Sequence, residues 1–511
     1  MRTTTLFSGT LLLATARLKA LLATSAPLAA SLLAIASLTP LLQPARPLAA
    51  QDVTAATAAA RIAPAAGTTF IRGGWLFDGV GVDVVRNPGI LVRNGMILSV
   101  SVVPKLATHV VELGENDYIL PGLFDLHAHY AIDLFGDGRV DATEVSPIIF
   151  LANGVTSTFP GGEVDPVGMM SARRKIDAGD RVGPRIHSSG PYYGTARPGW
   201  SHQAMTRDSI RKDVDYWAAQ GARGFKAKGI RPEQLEALIE QAHRWGLTVT
   251  GHLDSGARGS VNPPLAIGTG IDRIEHFIGG ETTPPTQSAY ASLEALEVPS
   301  AQLDSAIRRY LEHGVYFDAT ISAYGYWGER ASPILDFWTD ERAFFTPHAR
   351  EVIEQRLPRR PNAQFDRIFN VKLKTIKAFY DAGGAHLITL GTDHPSWGEY
   401  LSGFGAHREL HAFVTAGIPA AAALKIGTIN GARALGVSGK LGTIEPGKFA
   451  DLFVVTGNPL ADITNTRNVR LVMRGGDLYD APKLLDAVRG KLGPASAEED
   501  DWWKGNARLG R

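Results

Sequence analysis

Eight times between Leu120 and Asp393, an apolar strand-like run gives way to a stretch of helical periodicity. The runs end near His127, Phe159, Ser189, Lys226, His252, His276, Ile321 and Asp393. Pro232 to Trp245 is one helical stretch, with Leu235, Leu238, Ile239 and Ala242 on one face. Strands separated by helices pair in parallel, because a parallel connection needs a crossover. Eight such units predict an α/β fold, the (β/α)₈ TIM barrel. Both ends of the chain differ from this middle. Thr69–Phe77, Gly89–Leu98, Lys448–Val455 and Val469–Met473 are β-rich, and Asn94-Gly95 is a two-residue hairpin signal. These ends are expected to pair into one small discontinuous β-sandwich domain beside the barrel.

The predicted organisation is therefore a signal peptide over 1–50, a linker over 51–67 and the first sandwich half over 68–120. The barrel follows over 121–437, then the second sandwich half over 438–481 and a partly disordered tail over 482–511. The signal reading rests on Arg2, Arg17 and Lys19 before an uncharged run from Ala20 to Ala45, with Ala49-Ala50-Gln51 as the expected cut. It predicts an exported protein, periplasmic or secreted, with no membrane contact beyond that segment. The segment from Ile321 to Leu387, with Phe337, Trp338, Phe344 and Phe345, is expected to form a cap over the barrel mouth.

Composition narrows the chemistry. The chain has 52 Lys plus Arg against 51 Asp plus Glu, a net charge of +1, which argues against a nucleic-acid binder that works through a basic field. The partner expected is a small-molecule substrate, with the chain as a homo-oligomer. Cysteine is absent, which excludes disulfides, thiolate metal sites and thiol catalysis. Any metal must be held by nitrogen and oxygen.

His127 and His129 close the first run two residues apart, so both imidazoles leave a strand on the same side. That end of a barrel strand is where active sites are built. Lys226, His252, His276 and Asp393 end four further runs. Four imidazoles and a carboxylate suit Zn²⁺, Mn²⁺, Co²⁺ or Fe²⁺, and they are numerous enough for two ions. An ammonium cannot ligate. Lys226 has a role there if carboxylated to a bridging carbamate, or else as an ion-pair or substrate-carboxylate partner. Lys228 shares its strand face and competes for either role. The loop Pro191 to His202 is rich in donors, and Tyr193, His202, Tyr324 and Lys228 are candidates for substrate binding. Asp133 to Glu144 has calcium-loop-like spacing, but Phe135 stands where a ligand is needed, so an active-site loop is the preferred reading.

Ile119-Leu-Pro-Gly-Leu-Phe-Asp-Leu-His127-Ala-His129 resembles the first-strand signature of the amidohydrolase superfamily. Gly251-His252, Ile274-Glu-His276, Gly391-Thr-Asp393 and Leu441-Gly-Thr-Ile-Glu-Pro-Gly-Lys-Phe-Ala-Asp-Leu452 resemble its later motifs. Gly221-Ala-Arg-Gly-Phe-Lys226 is similar to the lysine stretch of the imidazolonepropionase-like and prolidase-like branch, with Arg223 replacing an acidic residue. The resemblance implies His127 and His129 on a buried metal and His252 and His276 on a more exposed one. It implies carboxylated Lys226 between two divalent ions, zinc by family habit, and Asp393 as ligand and proton shuttle. The implied activity is hydrolysis of an amide C–N bond, in dipeptides or N-acyl amino acids, by a metal-activated hydroxide. Alternatives are a cyclic-amide or imidazolone-type ring hydrolase, a lactonase, and a non-catalytic binding protein of the same fold.

Overall fold

The computed structural model describes residues 48–101, 107–135, 139–253, 261–278, 289–325, 339–355, 363–394 and 402–501. Residues 1–47, which carry nearly all of the expected signal, lie outside them, as do Phe337, Trp338, Trp502, Trp503 and the centre of the calcium-like loop. Pro47–Arg511 forms one compact unit.

The two ends of that unit meet in one nine-stranded sheet. Its order is Arg61–Ala63, Asp477–Asp480, Val469–Arg474, Leu452–Thr456, His109–Pro121, Thr68–Leu76, Gly89–Arg93 and Met96–Ser99, with Val85–Arg86 beside Thr68–Leu76. The hairpin forms where Asn94-Gly95 predicts it. Arg93 pairs with Met96, and Asn94 and Gly95 take φ of 49° and 79°. Ile71, Ile90, Ile119, Leu452, Val454 and Met473 come from five strands of this sheet into one buried cluster.

The expected linker is structured. Leu48–Ala59 is a helix and Arg61–Ala63 joins the sheet edge against Tyr479 and Leu478. Low complexity misleads here because alanine is the best helix former and Val53, Thr57 and Ala60 bury themselves. The tail also differs from expectation. Ala481–Val488 is a helix, and Leu484, Ala487, Val488 and Leu492 are buried, so order extends to Asp501 among the described residues.

The middle of the chain supplies parallel strands in two groups. Leu123–Ala128, Val155–Pro160 and Arg185–Ile186 form the first. Tyr192–Tyr193, Gly224–Lys228, Thr248–His252, Arg273–Glu275, Tyr316–Asp318 and Ile388–Thr389 form the second. Backbone bonds join the groups at both ends. Leu126 N donates to Leu390 O and Asp393 N to His127 O, each at 2.9 Å, and Arg223 N donates to Ser188 O at 2.7 Å. The helix Pro232–Arg244 buries Leu235, Leu238, Ile239 and Ala242, as its periodicity predicts. The seventh run is displaced. Its strand is Tyr316–Asp318, and Ile321 starts the helix Ile321–Gly325, whose first amides are held by the Glu409 carboxylate. Ile321 fills the run's apolar pattern, but a carboxylate at a helix N-terminus offers its amide a better partner than a ladder would.

Candidate metal centre

The strand Leu123–Ala128 delivers His127, and His129 follows it, with ring centroids 5.1 Å apart. Space for both rings depends on Gly161 across the strand end. A Cβ there would lie 2.3 Å from His127 Cδ2 and 3.1 Å from His129 Cε1. Gly161→Ala is therefore expected to cut both bound metal and kcat by at least about tenfold, because misplaced ligands cost that much. Elemental analysis beside kinetics checks it, and unchanged values would refute the steric argument.

Asp393 follows the last strand with φ 54°, in the left-handed region. Its Oδ1 lies 2.8 Å from His129 Nε2 and 3.3 Å from His127 Nε2. His276 closes the other side, its ring centroid 4.8 Å from that of His127 and 4.5 Å from that of His252. The His276 Nδ1 is 2.6 Å from Thr320 Oγ1, so Nε2 faces the cluster, 4.0 Å from Asp393 Oδ2. Four histidines and one aspartate from four strand ends thus converge. Donor atoms of His127, His129 and Asp393 lie within 4.8 Å of one another, as do those of His127, Glu275 and His276.

Glu275 is the member that sequence reasoning missed. It is fully buried, and it accepts from Thr250 Oγ1 at 2.9 Å and from Lys226 Nζ. Its Oε2 is 3.4 Å from His127 Nδ1. Strand alternation would send either Glu275 or His276 outward. The φ of 67° at His276 turns the chain so that both face inward. Lys226 is therefore a buried ion-pair partner in this structure, the alternative raised beside the carbamate. Lys228 is two residues along the same face, in register with His252 and half-buried.

Charge is arranged for ligation. Burial holds His127, His252 and His276 well below the usual imidazole range, helped by the Lys226 charge, and takes His129 down to about 4. Neutral imidazoles keep the lone pair that a metal needs. Burial alone would raise the Asp393 carboxyl, but His127, His129 and His276 together hold it well below the carboxylate range. Beneath the cluster, Asp125 accepts from His127 N, Thr392 N and Thr392 Oγ1 at 3.1, 3.1 and 2.7 Å. That ties the first strand end to the last. Arg273 Nη2 donates to Leu126 O at 2.9 Å from below.

The substrate candidates divide. Tyr324 stands beside the cluster, its ring centroid 6.0 Å from that of His276. Tyr193 does not reach it, because register pairs Tyr192 with Lys226 and sends Tyr193 to the opposite face, against Phe225 and Trp200. Tyr192 takes the inward position instead, and burial pushes its phenol up to about 12. His202 is engaged elsewhere, its Nδ1 2.8 Å from Gln234 Oε1 on the helix Pro232–Arg244.

The profile of the Amidohydrolase family matches residues 118–479, the span that holds every one of these side chains. The chain belongs to the amidohydrolase family. The enzyme is accordingly a hydrolase acting on carbon–nitrogen bonds. Solved structures agree on the fold. A Xaa-Pro dipeptidase with bound methionine superposes with a TM-score of 0.60 at 24% identity, over 81% of this chain and 100% of that one. Molinate hydrolase gives 0.60 at 21%, over 84% and 98%. An ochratoxinase from A. niger gives 0.58 at 20%, over 84% and 100%. No curated protein matches the sequence.

Proposed function

We propose that the enzyme is a metal-dependent amidohydrolase that cleaves an amide bond in a dipeptide or N-acyl amino acid. The observation that carries the reading is the pair of ligand groups that share His127. Its fit to metal is supported by His252 Nε2, a buried nitrogen with no hydrogen-bond partner among the described residues. A buried imidazole nitrogen without a partner is costly unless a cation takes its lone pair. We read the two parallel groups as one closed (β/α)₈ barrel through the bonds at Leu126, His127 and Ser188, with Arg185–Ile186 and Tyr192–Tyr193, which no helix separates, as two parts of one barrel strand. The nine-stranded sheet is read as a sandwich folded over its own apolar cluster.

In this reading His127, His129 and Asp393 would hold one divalent ion, and His252 and His276 the other, zinc being the expected metal. Bound ions supply a hydroxide at neutral pH and polarise the scissile carbonyl. Asp393, kept anionic by the histidines around it, takes the proton of the attacking water and delivers it to the leaving amine. Lys226 is expected to act as its carbamate. Burial holds its amine well below the usual lysine range, toward the uncharged form that adds CO₂ and releases a proton. Tyr192, in register with Lys226, and Tyr324, beside His276, would orient the substrate.

Elemental analysis of full-length protein, purified without chelator and reconstituted with Zn²⁺, should find close to two ions per chain. Dipeptides or N-acyl amino acids should turn over faster than hydantoins or lactones. A metal content near zero, or turnover confined to the ring substrates, would refute the proposal.

A further inference from the structure

The helix Ala363–Asp381 buries a stripe of Ile368, Phe369, Thr375, Ile376 and Phe379, and Lys372 lies within it at 2% exposure. A leucine would fill such a position without the cost of desolvating an ammonium. The reason for a lysine is at its tip. Nζ donates to the backbone carbonyl of His276 at 2.5 Å and stands 4.1 Å from the ring centroid of Tyr324. The Phe277 ring is 6.0 Å away on another side. The ammonium is thus spent on one carbonyl, braced by aromatic faces.

That carbonyl belongs to a residue in a disfavoured conformation. His276 has φ 67°, and Thr320, which bonds its ring, has φ 47°. A residue with a Cβ leaves the left-handed region unless its surroundings hold it there. Relaxation of His276 toward the extended region would swing Nε2 away from the cluster and return the strand to ordinary alternation.

We propose that Lys372 is a positioning residue for the metal centre: by holding the His276 carbonyl it keeps His276 in its left-handed turn and so sets the affinity of the ion that His276 binds. The inference rests on His276 being a ligand, as proposed above. It concerns neither the reaction nor the substrate.

The chain has no cysteine, so Lys372→Cys introduces a single thiol. Alkylation with 2-bromoethylamine in denaturant, followed by refolding with Zn²⁺, rebuilds a lysine-like ammonium on a thioether stem. Alkylation with bromoethane builds a stem of similar length without charge. Affinities are read by competition with a chromophoric chelator, and geometry from the Co²⁺ visible spectrum. Lys372→Met and the ethyl adduct should bind one of the two ions at least about tenfold more weakly, with an altered Co²⁺ spectrum. The aminoethyl adduct should recover both. Unchanged affinities in Lys372→Met, or no recovery in a folded aminoethyl adduct, would overturn the proposal. If Lys372→Met does not fold, Tyr324→Leu removes the face under the ammonium and should weaken the same ion. Unchanged binding there overturns it equally. Wild-type protein that binds no metal at all would instead refute the dinuclear reading.

Discussion

Asp393→Asn should lower kcat by about 10³-fold, close to 4 kcal/mol of barrier, while leaving the protein folded. The amide keeps the size of the carboxylate and an oxygen that can stay beside His129 Nε2, now 2.8 Å from Oδ1. It cannot accept the proton of the attacking water. Metal content should fall by less than about half, and KM should change only a few-fold, because the loss concerns a proton transfer in the transition state. Kinetics with parallel elemental analysis decide this. A variant that keeps a tenth of wild-type kcat would remove Asp393 from the role of proton shuttle. A variant that loses both ions would make it a ligand whose catalytic part cannot be separated.

The other large effect is expected at Lys226, where two explanations predict the same single-variant result. Lys226→Ala should lose at least one ion and reduce activity by at least about 100-fold if the carbamate bridges. If the lysine is instead an ion-pair partner, the same change should lose metal by destabilising the fold by about 3–5 kcal/mol, because Glu275 would stay buried without its cation. Lys226 and Glu275 are 1% and 0% exposed, so solvent does little to soften that cost. The double variant Lys226→Met with Glu275→Gln separates the explanations. It removes the uncompensated charge and should regain most of the stability. If the lysine serves only as an ion-pair partner, metal content and activity should return as well. If it carries the bridge, they should remain low, and millimolar acetate or propionate should restore part of them in Lys226→Ala. Lys228→Ala should keep metal content close to wild type, with at most a higher KM. Loss of both ions from Lys228→Ala, with Lys226→Ala unaffected, would move the bridge two residues along the strand.

Most ligand positions were legible because their geometry is local. His127 and His129 are two residues apart on a strand, and alternation alone puts them on one side. His252 ends its strand, and Asp393 follows the last one after Leu390, Gly391 and Thr392, so each is close to the rim that its sequence position suggests. The Asn94-Gly95 hairpin is equally local, since only those two residues need positive φ. The amino-acid order therefore determined the alternating α/β plan, the end-to-end sheet and the histidine set. Other features depended on register and on distant partners. Tyr192 and Tyr193 are indistinguishable as neighbours, and only pairing with the Lys226 strand decides which one faces inward. When both faces of a strand are buried, its pattern no longer reports direction. Glu275 joins the cluster because His276 breaks alternation, and that break is held by Lys372, 96 residues further on. Backbone conformation in the left-handed region is set by the contacts that outweigh its strain. Those contacts exist only once the helix Ala363–Asp381 has brought Lys372 to His276, just beyond the strand Arg273–Glu275.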